Sequence, residues 1–164
     1  DPTTQIGPVV SDTQLKSNLS YVEIARNEGC EVVSGQHLAE RNTGYFQRPG
    51  AFLNANNKMR SSREEIFGPV ASIIKVDDFE EAVATANDTE FGLSSAICTR
   101  SLYYAREFKR LSEAGMAMVN LPTAGVDYHV PFGGRKNSSY GSREQGRAAI
   151  DFYTTTKTTY SFAG

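Results

Sequence analysis

Leu15, Leu19, Val22 and Ala25 recur at the spacing of one helical face, with polar residues between them. Ser11-Asp12-Thr13-Gln14 ahead of them forms a capping box, in which Gln14 can reach back to the Ser11 amide. Gly29 supplies a stop, so the pattern predicts a helix over Asp12–Glu28. A short strand is expected at Glu31–Ser34, then a polar, Gly- and Pro-punctuated loop and hairpin over Gln36–Gly50. Val70-Ala71-Ser72-Ile73-Ile74-Lys75-Val76 is rich in β-branched residues and predicts a buried strand.

The alternation then continues. Asp78 with Glu81 caps a helix over Phe79–Asn87, whose inner face is Phe79, Ala82, Val83 and Ala86. Leu93–Cys98 predicts a strand, with Cys98 a core thiol. Ser101 caps a helix over Leu102–Leu111 with Leu102, Ala105 and Phe108 on one face, and Met116–Val119 predicts another strand. Such alternation argues for βαβ units: an α/β fold, a three-layer αβα sandwich with a mainly parallel sheet. After a short helix near Ala148–Phe152, Thr154–Phe162 alternates β-branched and polar residues, and a lone terminal strand needs a partner edge.

Composition narrows the class. With 164 residues, 39% apolar and 22% charged, the chain can build a core. A net charge of -2 with scattered Lys and Arg offers no stripe to nucleic acid and no polybasic cluster to a membrane. Cys30, Cys98, His37 and His129 form no metal-spaced set, so no metal site is expected. Two lone thiols suit a reducing compartment, and a cytoplasmic location is expected. The chain opens on the polar Asp1-Pro2-Thr3-Thr4, without signal peptide or Met, as an excised or processed chain would.

Two segments carry candidate chemistry. In Glu65-Ile66-Phe67-Gly68-Pro69 an acceptor-only carboxylate can take two hydrogen bonds from a vicinal ribose diol. An aromatic ring two residues on can lie against a flat heterocycle, and Gly-Pro turns the chain. Spacing alone favours the plainer reading, a surface Glu pair before a core Phe and a turn. The second segment, Asn120 to Gly134, follows a strand, where ligand loops of α/β sheets lie. Its glycines allow close backbone approach, and Pro131 fixes the lead into Phe132-Gly133-Gly134. The plainer reading is an ordinary loop anchored by one aromatic. His129, between Tyr128 and Val130, lacks a Ser or Cys partner and is read as structural.

These motifs resemble the aldehyde dehydrogenase superfamily. Asp1-Pro2-Thr3-Thr4-Gln5-Ile6-Gly7-Pro8 and Gly44-Tyr45-Phe46 with Pro49 also match its segments, so the resemblance runs from Asp1 to about Phe162. It implies that Glu65 binds the nicotinamide ribose and that Phe67 packs at the nicotinamide. It places Thr123, Val126 and Phe132 along the aldehyde tunnel. Lys136, Ser138, Gly141, Glu144 and Gly146 continue the pattern and are expected to brace the loop, while Asn137 stands where Gly is common. Asn120-Leu121-Pro122-Thr123-Ala124-Gly125, Asp127-Tyr128-His129-Val130 and Ser138-Ser139-Tyr140-Gly141 resemble more narrowly the α-ketoglutaric semialdehyde (2,5-dioxopentanoate) dehydrogenases.

The resemblance implies residues 1–150 as part of the catalytic domain and 151–164 as an oligomerisation tail. The parent would use NAD or NADP and a small aldehyde, attacked by a cysteine thiolate to give a thioester. No Gly-Gln-x-Cys context surrounds Cys30 or Cys98. The nucleophile, the glutamate base and most of the cofactor domain are expected upstream of Asp1. No catalytic residue is therefore assigned here, no tightly bound cofactor is expected, and the isolated chain is expected to be inactive. A homo-oligomer through the terminal strand is expected. The alternatives are a non-catalytic self-associating domain and a parent acting on a succinate-type semialdehyde.

Overall fold

A computed structural model describes residues 5–38 and 44–164. Its contacts divide the chain into two compact units, Asp1–Asp77 and Asp78–Gly164.

The first unit is built on helix α1, Asp12–Asn27. Ser11 caps it by accepting from the Gln14 amide at 3.1 Å, and Gly29, at φ 93°, lets the chain leave it. Strands β1 (Glu31–Ser34), β2 (Gly50–Ala55) and β3 (Val70–Ile74) follow, with the single-turn helix α2, Arg60–Arg63, between the last two. β1 and β2 are antiparallel, pairing Glu31 with Leu53 and Ser34 with Gly50. β2 and β3 are parallel, which the connection through α2 permits. The register slips between Phe52 and Ala55, where Asn54 takes a positive φ. Val22, Ala25, Cys30, Phe52 and Ala55 form the core, and Val32, Met59, Ile66, Val70 and Ile74 pack on it. A Val or Phe side chain fully withdrawn from water there contributes roughly 1.5–3 kcal/mol.

The second unit contains α3 (Phe79–Asn87), β4 (Ser94–Ile97), α4 (Leu102–Leu111), β5 (Met116–Val119), a 3-10 turn at Lys136–Ser138 and α5 (Ala148–Tyr153). β4 and β5 run parallel, from Ser94 with Met116 to Ile97 with Val119. Asp78 and Ser101 cap their helices as their types dictate. Val83 and Phe108 are buried, and the Phe79 and Tyr104 rings lie 4.8 Å apart.

The α/β class holds, and two of the three strand pairings are parallel, but the described strands do not form a single sheet. The strands fall in two sheets: a mixed three-stranded one, β1-β2-β3, and a parallel pair, β4-β5. β1 turns back on β2 because the loop between them folds as a hairpin, bridged by His37 and Gln47. Residues 39–43 of that loop lie outside the described residues, as does Asp1-Pro2-Thr3-Thr4 of the first matching segment. Thr154–Phe162 forms no strand and pairs with no sheet edge among the described residues, and Tyr160 and Phe162 stand 95% and 94% exposed. Leu102 is exposed rather than on the inner face, and Cys98 is an exposed thiol just past β4, not a core one. Among the described residues, no helix is long and apolar enough to cross a membrane.

Candidate functional site

Glu65 and Phe67 follow α2 directly and line one cleft of about 460 Å³, with Ser61, Ser62, Glu64, Ile66 and Gly68 among its walls. α2 is a single turn, and its first two amides are held from outside. The Glu28 carboxylate accepts from the Arg60 amide at 2.7 Å, the Ser61 amide at 3.2 Å and the Ser61 hydroxyl at 2.7 Å. Burial works against the charge on Glu28. The hydrogen bonds from Ser61 and Arg60 nevertheless keep its carboxyl below the usual range.

The two glutamates of the motif have different tasks. Glu64 is tied down: Arg60 donates to it at 2.9 and 3.0 Å, and the Tyr21 hydroxyl donates at 2.6 Å. The bond from Arg60, then that from Tyr21, lowers its pKa to about 2. Glu65 is exposed, and its carboxylate makes no hydrogen bond among the described residues. It is the one of the pair left to accept from a ligand.

Phe67 is 77% exposed and holds φ at 58°. A bulky side chain in the left-handed region is an outlier that costs of order 1–3 kcal/mol and clusters at ligand sites. The ring also borders a second concavity of about 320 Å³, lined by Ile6, Pro8, Val9 and Pro69. The plainer reading of Phe67 as a core residue is corrected: Ile66 packs into the core, and Phe67 faces out. The cleft thus sets an acceptor-only carboxylate beside a bare aromatic ring.

Gln14 departs from its expected capping role. Its side-chain amide does not turn back to Ser11; it donates to the Ile66 carbonyl at 2.9 Å and meets the Asn18 amide at 2.7 Å. Asn18 is fully buried and Gln47 is 4% exposed. The sequence carried a signal for this that the apolar count passed over: Asn18 sits three residues after Leu15, inside the buried stripe of α1.

The other candidates, Thr123, Val126 and Phe132, belong to the second unit. Thr123 is exposed, Val126 and Phe132 are half-buried, and Gly125 takes φ 83°. Phe132 exchanges both backbone bonds with Glu144, at 2.7 and 2.8 Å. Glycines in this stretch and facing it are required by close approach. A Cβ on Gly115 would lie 2.1 Å from the Gly133 carbonyl, and one on Gly134 would lie 2.8 Å from Ser138. Ser138 accepts from the Gly92 amide, Arg143 donates to the Gly134 carbonyl, and Lys136 pairs with Glu113 at 2.6 Å. The left-handed residue is Lys136, not Asn137, whose side chain instead donates to Glu90. His129 is exposed, with its ring against that of Tyr128.

Comparison with known proteins agrees with these motifs. The profile of the aldehyde dehydrogenase family matches residues 1–159, and the chain belongs to that family. It is 45% identical over 160 residues to the alpha-ketoglutarate semialdehyde dehydrogenase of Haloferax volcanii, covering 95% of this chain and 33% of the relative. It is 43% identical over 158 residues to the alpha-ketoglutaric semialdehyde dehydrogenase of Bacillus subtilis, covering 94% and 32%. Among solved structures it matches an NAD+ complex of indole-3-acetaldehyde dehydrogenase with TM-score 0.89 and 39% identity, covering 97% of this chain and 32% of that one. The chain thus spans about a third of the length of the relatives it matches.

Proposed function

We propose that this chain is the part of an NAD(P)-dependent aldehyde dehydrogenase that clamps the nicotinamide end of the cofactor and lines the aldehyde tunnel. The observation that carries this reading is the pairing of an unbonded Glu65 carboxylate with an exposed, backbone-strained Phe67 in one cleft. Glu65 accepts from the nicotinamide ribose diol, and Phe67 supports the ring face. NAD(P)+ supplies the hydride acceptor. Thr123, Val126 and Phe132 shape the passage of the aldehyde. The net reaction takes aldehyde, water and NAD(P)+ to carboxylate, NAD(P)H and two protons.

The substrate we infer is 2,5-dioxopentanoate, oxidised to 2-oxoglutarate. Relatives named for that semialdehyde are 45%, 43% and 37% identical, and the first two stand above the 38–40% of betaine aldehyde dehydrogenases. A cysteine thiolate begins such chemistry, and neither thiol of this chain suits it. Burial, then the charge of Glu28, pushes the Cys30 thiol up, and its sulfur lies 3.5 Å from that of Met59. Cys98 has no Gly-Gln-x-Cys context.

The reading is tested with a longer enzyme carrying this chain and with the chain alone. The longer enzyme should form NAD(P)H from 2,5-dioxopentanoate with a higher kcat/KM than from succinate semialdehyde, and the chain alone should form none. Preference for the shorter semialdehyde would move the substrate, and turnover by the chain lost on mutating Cys30 or Cys98 would overturn the division of labour.

The tail belongs to the same proposal. Thr154–Phe162 pairs with no edge among the described residues and carries exposed Tyr160 and Phe162. We assign it as a strand added to a second copy's sheet. Sedimentation with and without residues 145–164 should show an oligomer that the deletion dissociates; a concentration-independent monomer would remove the assignment.

A further inference from the structure

We propose that Asn18 and Gln47 are positioning residues for the clamp: a buried chain of amides that holds the strained Phe67 backbone in place. The inference rests on the reading of Glu65 and Phe67 as the cofactor clamp. It concerns residues outside the clamp motif, in α1 and in the hairpin ahead of β2.

The chain can be followed atom by atom. The Gln47 side-chain nitrogen donates to the Gly35 carbonyl at 2.8 Å. The Asn18 and Gln47 amides meet at 3.0 Å, and the Asn18 and Gln14 amides at 2.7 Å. Gln14 then donates to the Ile66 carbonyl at 2.9 Å and lies 3.5 Å from the Phe67 carbonyl. One end is thus fixed to the backbone after β1, and the other grips the peptide groups on either side of Phe67's Cα. Asn18 also touches the clamp directly: a Cβ on Gly68 would lie 2.4 Å from its side-chain nitrogen. Only glycine lets the backbone after Phe67 come this close to α1.

Space-filling does not require this arrangement. Asn18 occupies a fully buried position on the apolar stripe of α1, where an aliphatic side chain would be the ordinary choice. Buried amides are costly unless each finds a partner, and here they do. What the amides add over an aliphatic pair is direction. A carbonyl held by a fixed donor cannot rotate, and a residue at φ 58° persists only when its surroundings over-determine it. Gln14 and Asn18 stand one turn apart on α1, so the helix carries the grip as a rigid element.

The decisive variant is the double Asn18→Leu/Gln47→Leu. It removes both buried partners together, so the fold keeps its packing while Gln14 loses its support. Two readouts are taken. On the 164-residue chain, hydrogen exchange follows the amides of Gly50 and Val70, whose acceptors are the Pro69 and Gly68 carbonyls, against Met116 as a control. In the longer enzyme, single-turnover hydride transfer to NAD+ is measured alongside Glu65→Gln. With an unchanged denaturation midpoint, the Gly50 and Val70 amides should exchange about tenfold faster. Hydride transfer should slow about tenfold, within the ~10²-fold that a misplacement of about 1 Å can cost. The KM for the aldehyde should hold.

Wild-type exchange at Gly50 and Val70 in the double variant would overturn the inference, whatever Glu65→Gln does. If Glu65→Gln alone leaves hydride transfer unchanged, the clamp reading falls and the exchange data still decide the positioning role. If the double variant does not fold, Gln47→Met removes the far anchor at similar volume, and its exchange is judged by the same outcomes.

Discussion

Glu65–Phe67 and Thr123–Val126 are both loop segments beside parallel strands, yet they are held differently. The first is gripped by side chains from other elements. Glu28 caps the helix before it, Arg60 and Tyr21 fix Glu64, Gln14 holds the Ile66 carbonyl, and Ile66 is rooted in the core. Thr123, Ala124, Gly125 and Val126 make no hydrogen bond among the described residues, and the chain is pinned only beyond them, at Asp127 and Tyr128 by backbone amides and over Pro-Phe-Gly-Gly through Glu144, Ser139 and Arg143. The contrast matches the two tasks proposed. A cofactor must be presented at one distance and angle, so its clamp is fixed in advance. A substrate passage needs shape at its base and tolerates freedom at its rim.

Breaking the support under the clamp should have the largest effect. Phe52 is fully buried in the core cluster on which Ile66 and Val70 pack. Phe52→Ala should cost about 3–5 kcal/mol by cavity formation. In denaturant, the amides of β1–β3 should lose protection, and those of β4–β5 should keep theirs if the two units open separately. Equal loss in both would make them one cooperative block.

Phe132→Ala addresses the other side of the contrast. A missing aromatic in an apolar passage changes discrimination between aldehydes by about 1–3 kcal/mol, or roughly 10–200-fold in relative kcat/KM. We expect KM for the short semialdehyde to rise, bulkier aldehydes to gain, and KM for NAD+ to hold. Unchanged selectivity across a series of aldehydes would remove Phe132 from the tunnel.

Phe67→Gly separates stability from function. The strain at φ 58° is worth of order 1–3 kcal/mol, and the added freedom of glycine returns about 0.5–1 kcal/mol. The variant should therefore be more stable by about 1 kcal/mol while its NAD+ KM rises. Calorimetry beside steady-state kinetics reads both; a less stable variant would show that the ring packs more than it strains.

Acid should reach the clamp's brace through Glu64. Its folded pKa lies below its unfolded value, so its contribution is complete above about 4.5 and is lost as pH falls towards about 2. The stability gap between the wild type and Glu64→Gln should close over that window. A gap that stays constant would mean that the Arg60–Glu64–Tyr21 cluster contributes nothing to folding.

Much of this molecule was legible in its sequence, for identifiable reasons. α1, α3 and α4 carry side-chain caps and periodic apolar faces, and β1 and β5 lie where β-branched or apolar runs placed them. β2 and α2 were not seen. Gly50–Ala55 has one large buried residue, Phe52, and Arg60–Arg63 is a polar turn whose cap, Glu28, lies far back in the chain. Within the site, motif chemistry identified Glu65 and Phe67, but the supports are long-range: Gln14 meets Ile66 across 52 positions and Tyr21 meets Glu64 across 43. No local pattern encodes such pairs. Asn18 alone left a trace, as a polar residue inside an apolar stripe.

The central claim is that Glu65 holds the nicotinamide ribose. It is tested most directly by single-turnover hydride transfer in a longer enzyme carrying Glu65→Gln, an exchange that keeps shape and removes the negative charge. A lost charge-assisted hydrogen bond is worth about 1.5–3 kcal/mol, so the rate should fall roughly tenfold or more, while Glu64→Gln at neutral pH should act on stability first. A hydride-transfer rate in Glu65→Gln equal to that of the wild type would contradict the account and return Glu65 to the role of a surface carboxylate.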